Sequence, residues 1–82
     1  MPMDRTELNQ RITIDRNVLL GKPTVRGLRI SVEQILRALA AGVPLEDVLK
    51  DYPELEREDI LACIDYAAAL VSSERVYRVG SS

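Results

Sequence analysis

Few side chains in this 82-residue sequence could do chemistry: it contains no histidine and a single cysteine, Cys63. A nucleophilic thiolate needs a neighbouring cation. Cys63 instead stands among Ala62, Ile64 and Ala67 in a helical pattern, so we predict a small core residue. One cysteine without histidine also cannot form an internal disulfide or supply the soft ligands of a zinc site.

An acidic run could imitate a metal or acid–base site; its members are Glu54, Glu56, Glu58 and Asp59. These residues come where a helix is predicted to begin, and carboxylates there stabilise free backbone N–H groups, so we predict a structural role. Gly21-Lys22 resembles part of a phosphate-binding loop, but Pro23 stands where the hydroxyl residue is required. The sequence therefore predicts no catalytic residue, no cofactor, no metal and no enzymatic activity.

Basic residues are the other candidates, because the net charge of −2 is unevenly divided. Residues 1–41 carry a net charge of +3 and residues 42–82 a net charge of −5. Attraction to nucleic acid should therefore come from the N-terminal half. The candidate nucleic-acid contacts are Arg11, Arg16, Lys22, Arg26 and Arg29.

The basic candidates fall on a predicted β-hairpin region over residues 11–30. Residues 11–15 alternate polar and apolar side chains, which is typical of a short strand. The apolar stretch 18–20 is expected to anchor a turn against the core. Gly27 can adopt positive φ and predicts a tight reversal over residues 25–28, after which Val25, Leu28 and Ile30 can face the core. Residues 1–10 lack periodicity and predict a flexible arm.

Three helices are predicted over residues 31–73. Ser31 is a good N-cap, an apolar face follows it, and Gly42 can end the first helix. Pro44 suits the start of a short second helix that stops at Tyr52-Pro53, and the third should run from about Arg57 to about Ser73. This order predicts a single, mainly α domain with a small N-terminal β-hairpin and a homeodomain-like or helix-turn-helix-like core.

The third helix is apolar over an unusually wide arc. One face, expected to pack on the first two helices, contains Ile60, Leu61, Ile64, Ala67, Ala68 and Val71. Cys63, Tyr66 and Leu70 extend that face sideways. This width fits either a central helix flanked by its own strands or a second interface, which would make those three residues partner or dimer contacts. The tail 74–82 adds Arg75, Tyr77 and Arg78 as further candidates.

The composition bounds the rest. With no Phe or Trp the core must be aliphatic and small, so a dimer or a bound partner would be a natural supplement. No charged-then-apolar signal segment is visible, and no apolar run approaches the roughly 20 residues that span a bilayer. We expect a soluble, cytoplasmic protein with no membrane contact.

Several stretches resemble the domain-of-unknown-function 433 family over about residues 11–69. They are Ile12-Thr13-Ile14-Asp15, the G-K-P-T-V-R-G-L-R-I run from Gly21 to Ile30, Gly42, Asp51-Tyr52-Pro53-Glu54-Leu55, Glu58-Asp59-Ile60 and Asp65-Tyr66-Ala67. The resemblance implies a small hairpin followed by a three-helix, homeodomain-like domain. It also implies a VapB-type antitoxin paired with a PIN-like ribonuclease toxin. Leu28 and Glu56 depart from the family, which commonly has Thr and a Ser or Thr there.

Three functional hypotheses remain open. The leading one is a non-enzymatic antitoxin-like protein that dimerises or binds a toxin through the last helix and the tail, where Arg75 or Arg78 could enter an acidic metal site. The second is a DNA-binding regulator that uses the hairpin as a wing and acts on its own operator. In that case the hairpin must make the contact, because the third helix is net acidic. The third is an interaction module with neither partner.

Overall fold

A mainly helical chain with one small hairpin is seen in the computed structural model, which describes residues 5–72. The elements are α1 (Arg5–Asn9), β1 (Ile12–Thr13), a 3-10 turn (Leu19–Gly21), β2 (Thr24–Val25), α2 (Val32–Ala40), α3 (Leu45–Asp51) and α4 (Arg57–Ser72). The predicted hairpin and three following helices are confirmed. Within residues 5–72, no helix has the length and apolar character needed to cross a membrane.

The hairpin is built from two very short antiparallel strands. Ile12 pairs with Val25, and Thr13 pairs with Thr24. The chain then reverses at Arg26 and Gly27, whose φ angles are 49° and 74°, and the Leu28 N–H donates to the Val25 carbonyl at 2.8 Å. Two successive positive φ angles are typical of a type I′ turn, so the predicted reversal is confirmed.

Helix α2 begins as its sequence predicts. The Gln34 backbone N–H donates to Ser31 Oγ at 3.0 Å, and the Ser31 N–H donates to Gln34 Oε1 at 2.9 Å. This reciprocal pair satisfies two N–H groups that a helix start otherwise leaves without partners. The helix ends at Ala40, and Gly42 follows at φ 93°.

The core is small and aliphatic, and β2, α2, α3 and α4 each contribute to it. Its fully enclosed members include Val25 from the hairpin, Ile35 from α2, Val48 from α3, and Ile60 and Cys63 from α4. Helix α3 follows Pro44 and ends before Tyr52, whose N–H donates to the Val48 carbonyl at 3.0 Å.

Two N-terminal predictions differ from the structure. Residues 1–10 were expected to form a flexible arm; residues 1–4 lie outside the described residues, and Arg5–Asn9 is a helix that packs against α4. The stretch 18–20 was expected to anchor a turn against the core, but Leu20 is 95% exposed. Leu19, Leu20 and Gly21 all have positive φ, and this left-handed turn points the Leu20 side chain outward.

The apolar face predicted for α4 is wrong in its orientation. Asp59, Ile60, Ala62 and Cys63 are buried, whereas Leu61, Ile64, Ala68 and Val71 are exposed. The helix is apolar on nearly all sides, so its periodicity did not determine which side meets the core. Asp59 fixes which face of α4 is buried, because Arg11 and Arg26 of the hairpin region bind its carboxylate in the interior.

Candidate functional site

A buried carboxylate at the first turn of α4 joins the N-terminal and C-terminal parts of the chain. Asp59 has no exposed surface. Arg26 binds it with two hydrogen bonds, Nε to Oδ1 at 3.0 Å and NH2 to Oδ2 at 2.8 Å. Arg11 NH1 donates to Oδ1 at 2.9 Å, and the Glu56 backbone N–H donates to Oδ2 at 2.8 Å. We call Asp59, Arg11, Arg26 and Glu56 the Asp59 cluster.

Local structure brings the members of the Asp59 cluster together. Arg11 immediately precedes β1, and Arg26 opens the turn after β2, so strand pairing places both side chains on one edge of the hairpin. The two residues are also joined directly, because the Arg26 N–H donates to the Arg11 carbonyl at 2.7 Å. Arg26 NH2 also binds the Glu54 carbonyl at 2.8 Å and so holds the connection before α4.

The charge state of the Asp59 cluster is fixed by these bonds. Burial of Asp59 acts to raise the pKa of its carboxyl, but the hydrogen bonds from Arg26, the Glu56 N–H and Arg11 outweigh it and leave the pKa lowered. The hydrogen bond to Glu56, followed by that to Asp59, raises the pKa of Arg11, and the hydrogen bond to Asp59 raises that of Arg26. A carboxylate held ionised by two arginines is a structural ion pair and a poor general acid or base.

The acidic run before α4 is thus explained at its one buried member. Because α4 begins at Arg57, Asp59 is its third residue and accepts a hydrogen bond from the residue before the helix, as the acidic member of a capping box does. Within residues 5–72, no group of three or more His, Cys, Asp or Glu side chains could hold a metal ion.

The five candidate nucleic-acid contacts are divided by the structure. Arg11 and Arg26 are bound to Asp59, so their charges are shared with a buried carboxylate, and their contact with nucleic acid stays a prediction. Lys22 donates to Glu33 on α2 at 3.3 Å, so part of its charge is also compensated. Arg16 and Arg29 are exposed and form no ion pair within the described part of the chain.

An apolar groove lies between α2 and α4, and it encloses about 400 Å³. We call it the α2–α4 groove. Its lining is aliphatic or aromatic except for Glu33 and Arg37; the apolar members are Pro23, Val32, Leu36, Ala40, Tyr66, Ala67 and Leu70. The two charged residues form an ion pair, with Arg37 Nε 2.9 Å from Glu33 Oε2. The hydrogen bonds from Arg37 and then Lys22 lower the pKa of Glu33.

The predicted partner contacts on α4 are also divided. Tyr66 and Leu70 line the α2–α4 groove, and Leu70 is 54% exposed. Cys63 is fully buried, so its predicted role as a core residue is confirmed and it cannot touch a partner. Burial, and then the charge of Asp59, raises the pKa of its thiol to about 12. Arg75, Tyr77 and Arg78 lie outside the described residues.

The Asp59 cluster is the feature that sequence reasoning missed. A basic residue in a predicted turn and an acid three positions into a helix are each common, and nothing in their spacing links Arg26 to Asp59, 33 residues away. The one available signal was Asp59 itself, which directly precedes the core residue Ile60 but was assigned, with the other acids of the run, only to stabilising free N–H groups at the start of a helix.

Comparison with known proteins gives a family and little functional information. No solved structure matches this chain. One curated relative, the uncharacterized protein y4eO of Sinorhizobium fredii, is 33% identical over 66 residues. That match covers 80% of this chain but 30% of the relative's length. The model of the family described as "Protein of unknown function (DUF433)" matches residues 12–67, from the first strand to the middle of α4. The chain therefore belongs to the DUF433 family.

Proposed function

We propose that this chain is a non-enzymatic, antitoxin-like protein that binds a PIN-like ribonuclease toxin. The observation that carries the proposal is the α2–α4 groove, an open apolar surface on a chain of only 82 residues. Exposed apolar grooves of this kind mark interaction sites. The toxin class comes from the resemblance described above, which implies a VapB-type antitoxin.

Charge supports a protein partner at this groove. The Glu33–Arg37 ion pair leaves the rim close to neutral, so an apolar helix or strand can enter without meeting an uncompensated charge. Leu70, at one end of the groove, is two residues before the last described residue. The tail beyond it carries Arg75 and Arg78. These two arginines follow Leu70 by five and eight residues in the sequence, and the acidic metal site of a PIN-like toxin would attract such cations.

The side chains on hand favour binding over catalysis. The chain contains no histidine. Its one thiol is enclosed in the core with a pKa near 12, so it is protonated at neutral pH. Among residues 5–72, the fully buried carboxylate of Asp59 is held ionised between two arginines, which makes it a poor general acid or base.

We do not extend the proposal to operator DNA or to a homeodomain-like mode of binding. In that mode α4 would enter the major groove, yet its outward side presents apolar side chains, including Leu61, Ile64 and Val71. Two of the five basic candidates are bound to Asp59. The remaining exposed cations of the hairpin region, Arg16, Lys22 and Arg29, supply fewer phosphate contacts than a specific DNA complex usually makes.

The test is co-expression with a PIN-like protein encoded beside this chain, followed by co-purification and a growth-rescue assay. Ala40→Glu places a charge in the groove, whereas Ala41→Glu places the same charge on the next, also exposed, residue outside it. We expect Ala40→Glu to weaken the complex at least roughly tenfold and to reduce rescue, because a buried unpaired charge is costly, while Ala41→Glu binds normally.

Truncation after Ser73 separates the tail from the groove. We expect weaker rescue with a complex that still forms, because the groove remains. Equal binding by wild type, Ala40→Glu and Ala41→Glu would refute the groove as the toxin site. The absence of any neighbouring reading frame for a PIN-like protein would favour an interaction module with a different partner.

A further inference from the structure

A second apolar surface lies on the outward side of α4, away from the α2–α4 groove. Leu61, Ile64, Ala68 and Val71 are spaced by three, four and three residues, which puts them within roughly 80° on the helix circumference. All four are exposed, and the larger three are 41%, 45% and 71% accessible respectively. We call these four residues the outward stripe.

We propose that the outward stripe binds the outward stripe of a second copy of this chain, with the two α4 helices antiparallel. The alternating three and four spacing is that of a coiled-coil seam, in which apolar side chains of one helix fit between those of a facing helix. The partner that fits this stripe is therefore a second helix that lies along it. Helix α4 itself is such a helix, since it spans 16 residues, or about 24 Å.

The sizes of the four side chains favour pairing with an antiparallel copy. The spacing is the same read in either direction, so a twofold axis across the middle of the stripe sets Leu61 against the second copy's Val71 and Ile64 against its Ala68. Each layer then combines a larger side chain with a smaller one, which fills space evenly. A parallel pair would place two alanines together and leave a void.

Charge and contact area both limit the strength of self-association. The stripe itself contains no charged residue, but Asp65 flanks it, roughly 40° around the helix from Leu61, and would lie near the Asp65 of the second copy at the twofold axis, which weakens the pairing. A single pair of 16-residue helices buries less than the roughly 1,600 Å² of a standard stable interface, so we expect a weak dimer that forms at on the order of 100 μM chain.

This inference goes beyond the proposed function, because the two surfaces lie on different sides of α4. Leu70 and Tyr66 line the groove and lie roughly 100° or more from the outward stripe around the helix, whereas Ala67, which also lines the groove, lies between the two surfaces. A dimer joined at the stripe leaves the part of each groove that Leu70 and Tyr66 line open. Loss of self-association and loss of toxin binding are therefore separate outcomes, which Ile64→Glu and Ala40→Glu respectively measure.

Sedimentation equilibrium of the full chain over a wide concentration range is the first test. We expect a monomer–dimer equilibrium that Ile64→Glu weakens at least roughly tenfold, because it places a charge in the centre of an apolar seam. Leu20→Glu is the matched control: it makes the same kind of change at a residue that is 95% exposed and lies outside the stripe, so dimerisation should be unchanged. Circular dichroism verifies that each variant is folded.

Disulfide trapping tests the antiparallel arrangement. Mixed under oxidising conditions, the variants Leu61→Cys and Val71→Cys should cross-link to each other faster than Leu61→Cys cross-links to itself. Cys63 does not interfere, because it is fully buried and its thiol pKa is raised to about 12.

Several results would overturn the proposal. A wild-type chain that stays monomeric up to about 1 mM, roughly ten times the expected dissociation constant, would assign the stripe to a different protein. Equal weakening by Ile64→Glu and Leu20→Glu would move the interface off the stripe. Preferential self-linking of Leu61→Cys would replace the antiparallel pair with a parallel one and contradict the proposed layers. Should Ile64→Glu fail to fold, Ala68→Glu, at an exposed small residue, gives the same comparison.

Discussion

The two ends of α4 differ in how completely the rest of the chain contacts their side chains. At the N-terminal end, Asp59 is fully enclosed and each of its carboxylate oxygens accepts hydrogen bonds from other parts of the chain. At the C-terminal end, Leu70 and Val71 are 54% and 71% exposed. At the N-terminal end, the chain itself supplies every partner of the buried carboxylate, whereas the C-terminal end leaves apolar side chains exposed to water.

This difference separates stability from recognition along one helix. An ion pair buried under a hairpin is costly to break, because the carboxylate or the arginines would lose partners that water reaches poorly. Apolar side chains that are already exposed contribute little to folding and gain most when a partner covers them. Substitutions at the N-terminal end should therefore change the free energy of unfolding, and those at the C-terminal end should change binding.

The largest expected effect comes from Asp59→Asn. It removes the charge that holds Arg11 and Arg26 and replaces one of the two accepting oxygens by an NH2 donor, which faces the donors of Arg26 and Glu56 or of both arginines, so we expect a loss of about 3 kcal/mol in the free energy of unfolding. Urea denaturation followed by circular dichroism measures it. Asp51→Asn, the same change at an exposed position on α3, should cost less than about 0.5 kcal/mol. Equal costs would show that the buried carboxylate does not stabilise the N-terminal end of α4.

Lowering the pH should reduce the difference in the free energy of unfolding between the wild type and Asp59→Asn. The ordinary pKa of an aspartate is 3.8, and that of Asp59 is lowered in the folded chain. The unfolded chain therefore takes up the proton first, and the stability that ionised Asp59 contributes is complete above about pH 4 and lost as the pH falls through the folded-state value. Unfolding midpoints between neutral and strongly acidic pH measure this. A gap that stays constant into strong acid would show that the charge of Asp59 is not the source.

A smaller effect is expected from Arg26→Lys. An ammonium group keeps the charge but cannot make the paired Nε and NH2 contacts to both oxygens of Asp59, so we expect a loss of about 1 kcal/mol. Arg29→Lys, three residues along the same hairpin and exposed, should be neutral within about 0.5 kcal/mol. If neither variant changed the free energy of unfolding, the paired hydrogen bonds of Arg26 would contribute nothing to stability beyond the charge of the side chain.

The smallest effect is expected at the other end of α4. Val71→Ala removes two methyl groups from a side chain that is 71% exposed and should change the free energy of unfolding by less than about 0.5 kcal/mol. Ile60→Val removes one methyl from a fully buried side chain and should cost about 1 kcal/mol. Thermal unfolding of both proteins at low concentration, where they are monomeric, gives the comparison. A larger loss at Val71 would mean that this end is also completed within the chain.

Local signals predicted the elements well. Each of these signals acts within a few residues, so a short stretch of sequence is enough to interpret it; they are the Ser31 cap, the apolar period of α2, Gly42 and Pro44. The turn at Arg26-Gly27 was equally legible, because glycine there permits positive φ.

Orientation and long-range pairing were not legible in the same way. A helix that is apolar on nearly every side has no preferred core face in its own sequence, so Ile64 and Val71 were assigned inward and are exposed. The partners of Arg11 are 45 and 48 residues away at Glu56 and Asp59, and pairing at that distance depends on packing. For the candidate site, Tyr66 and Leu70 were predicted, whereas the groove wall supplied by α2 was not.

The Asp59 cluster also bears on how the chain reaches its fold. Its contacts close loops of 33 and 48 residues, while the three helices and the hairpin turn are held by bonds between near neighbours. Closing long loops costs chain entropy before any contact rewards it, so local elements can form rapidly and the arginine–carboxylate bonds are made as they dock. The cluster then mainly lowers the rate of unfolding, because bonds formed late in folding stabilise the native state more than the transition state that precedes it.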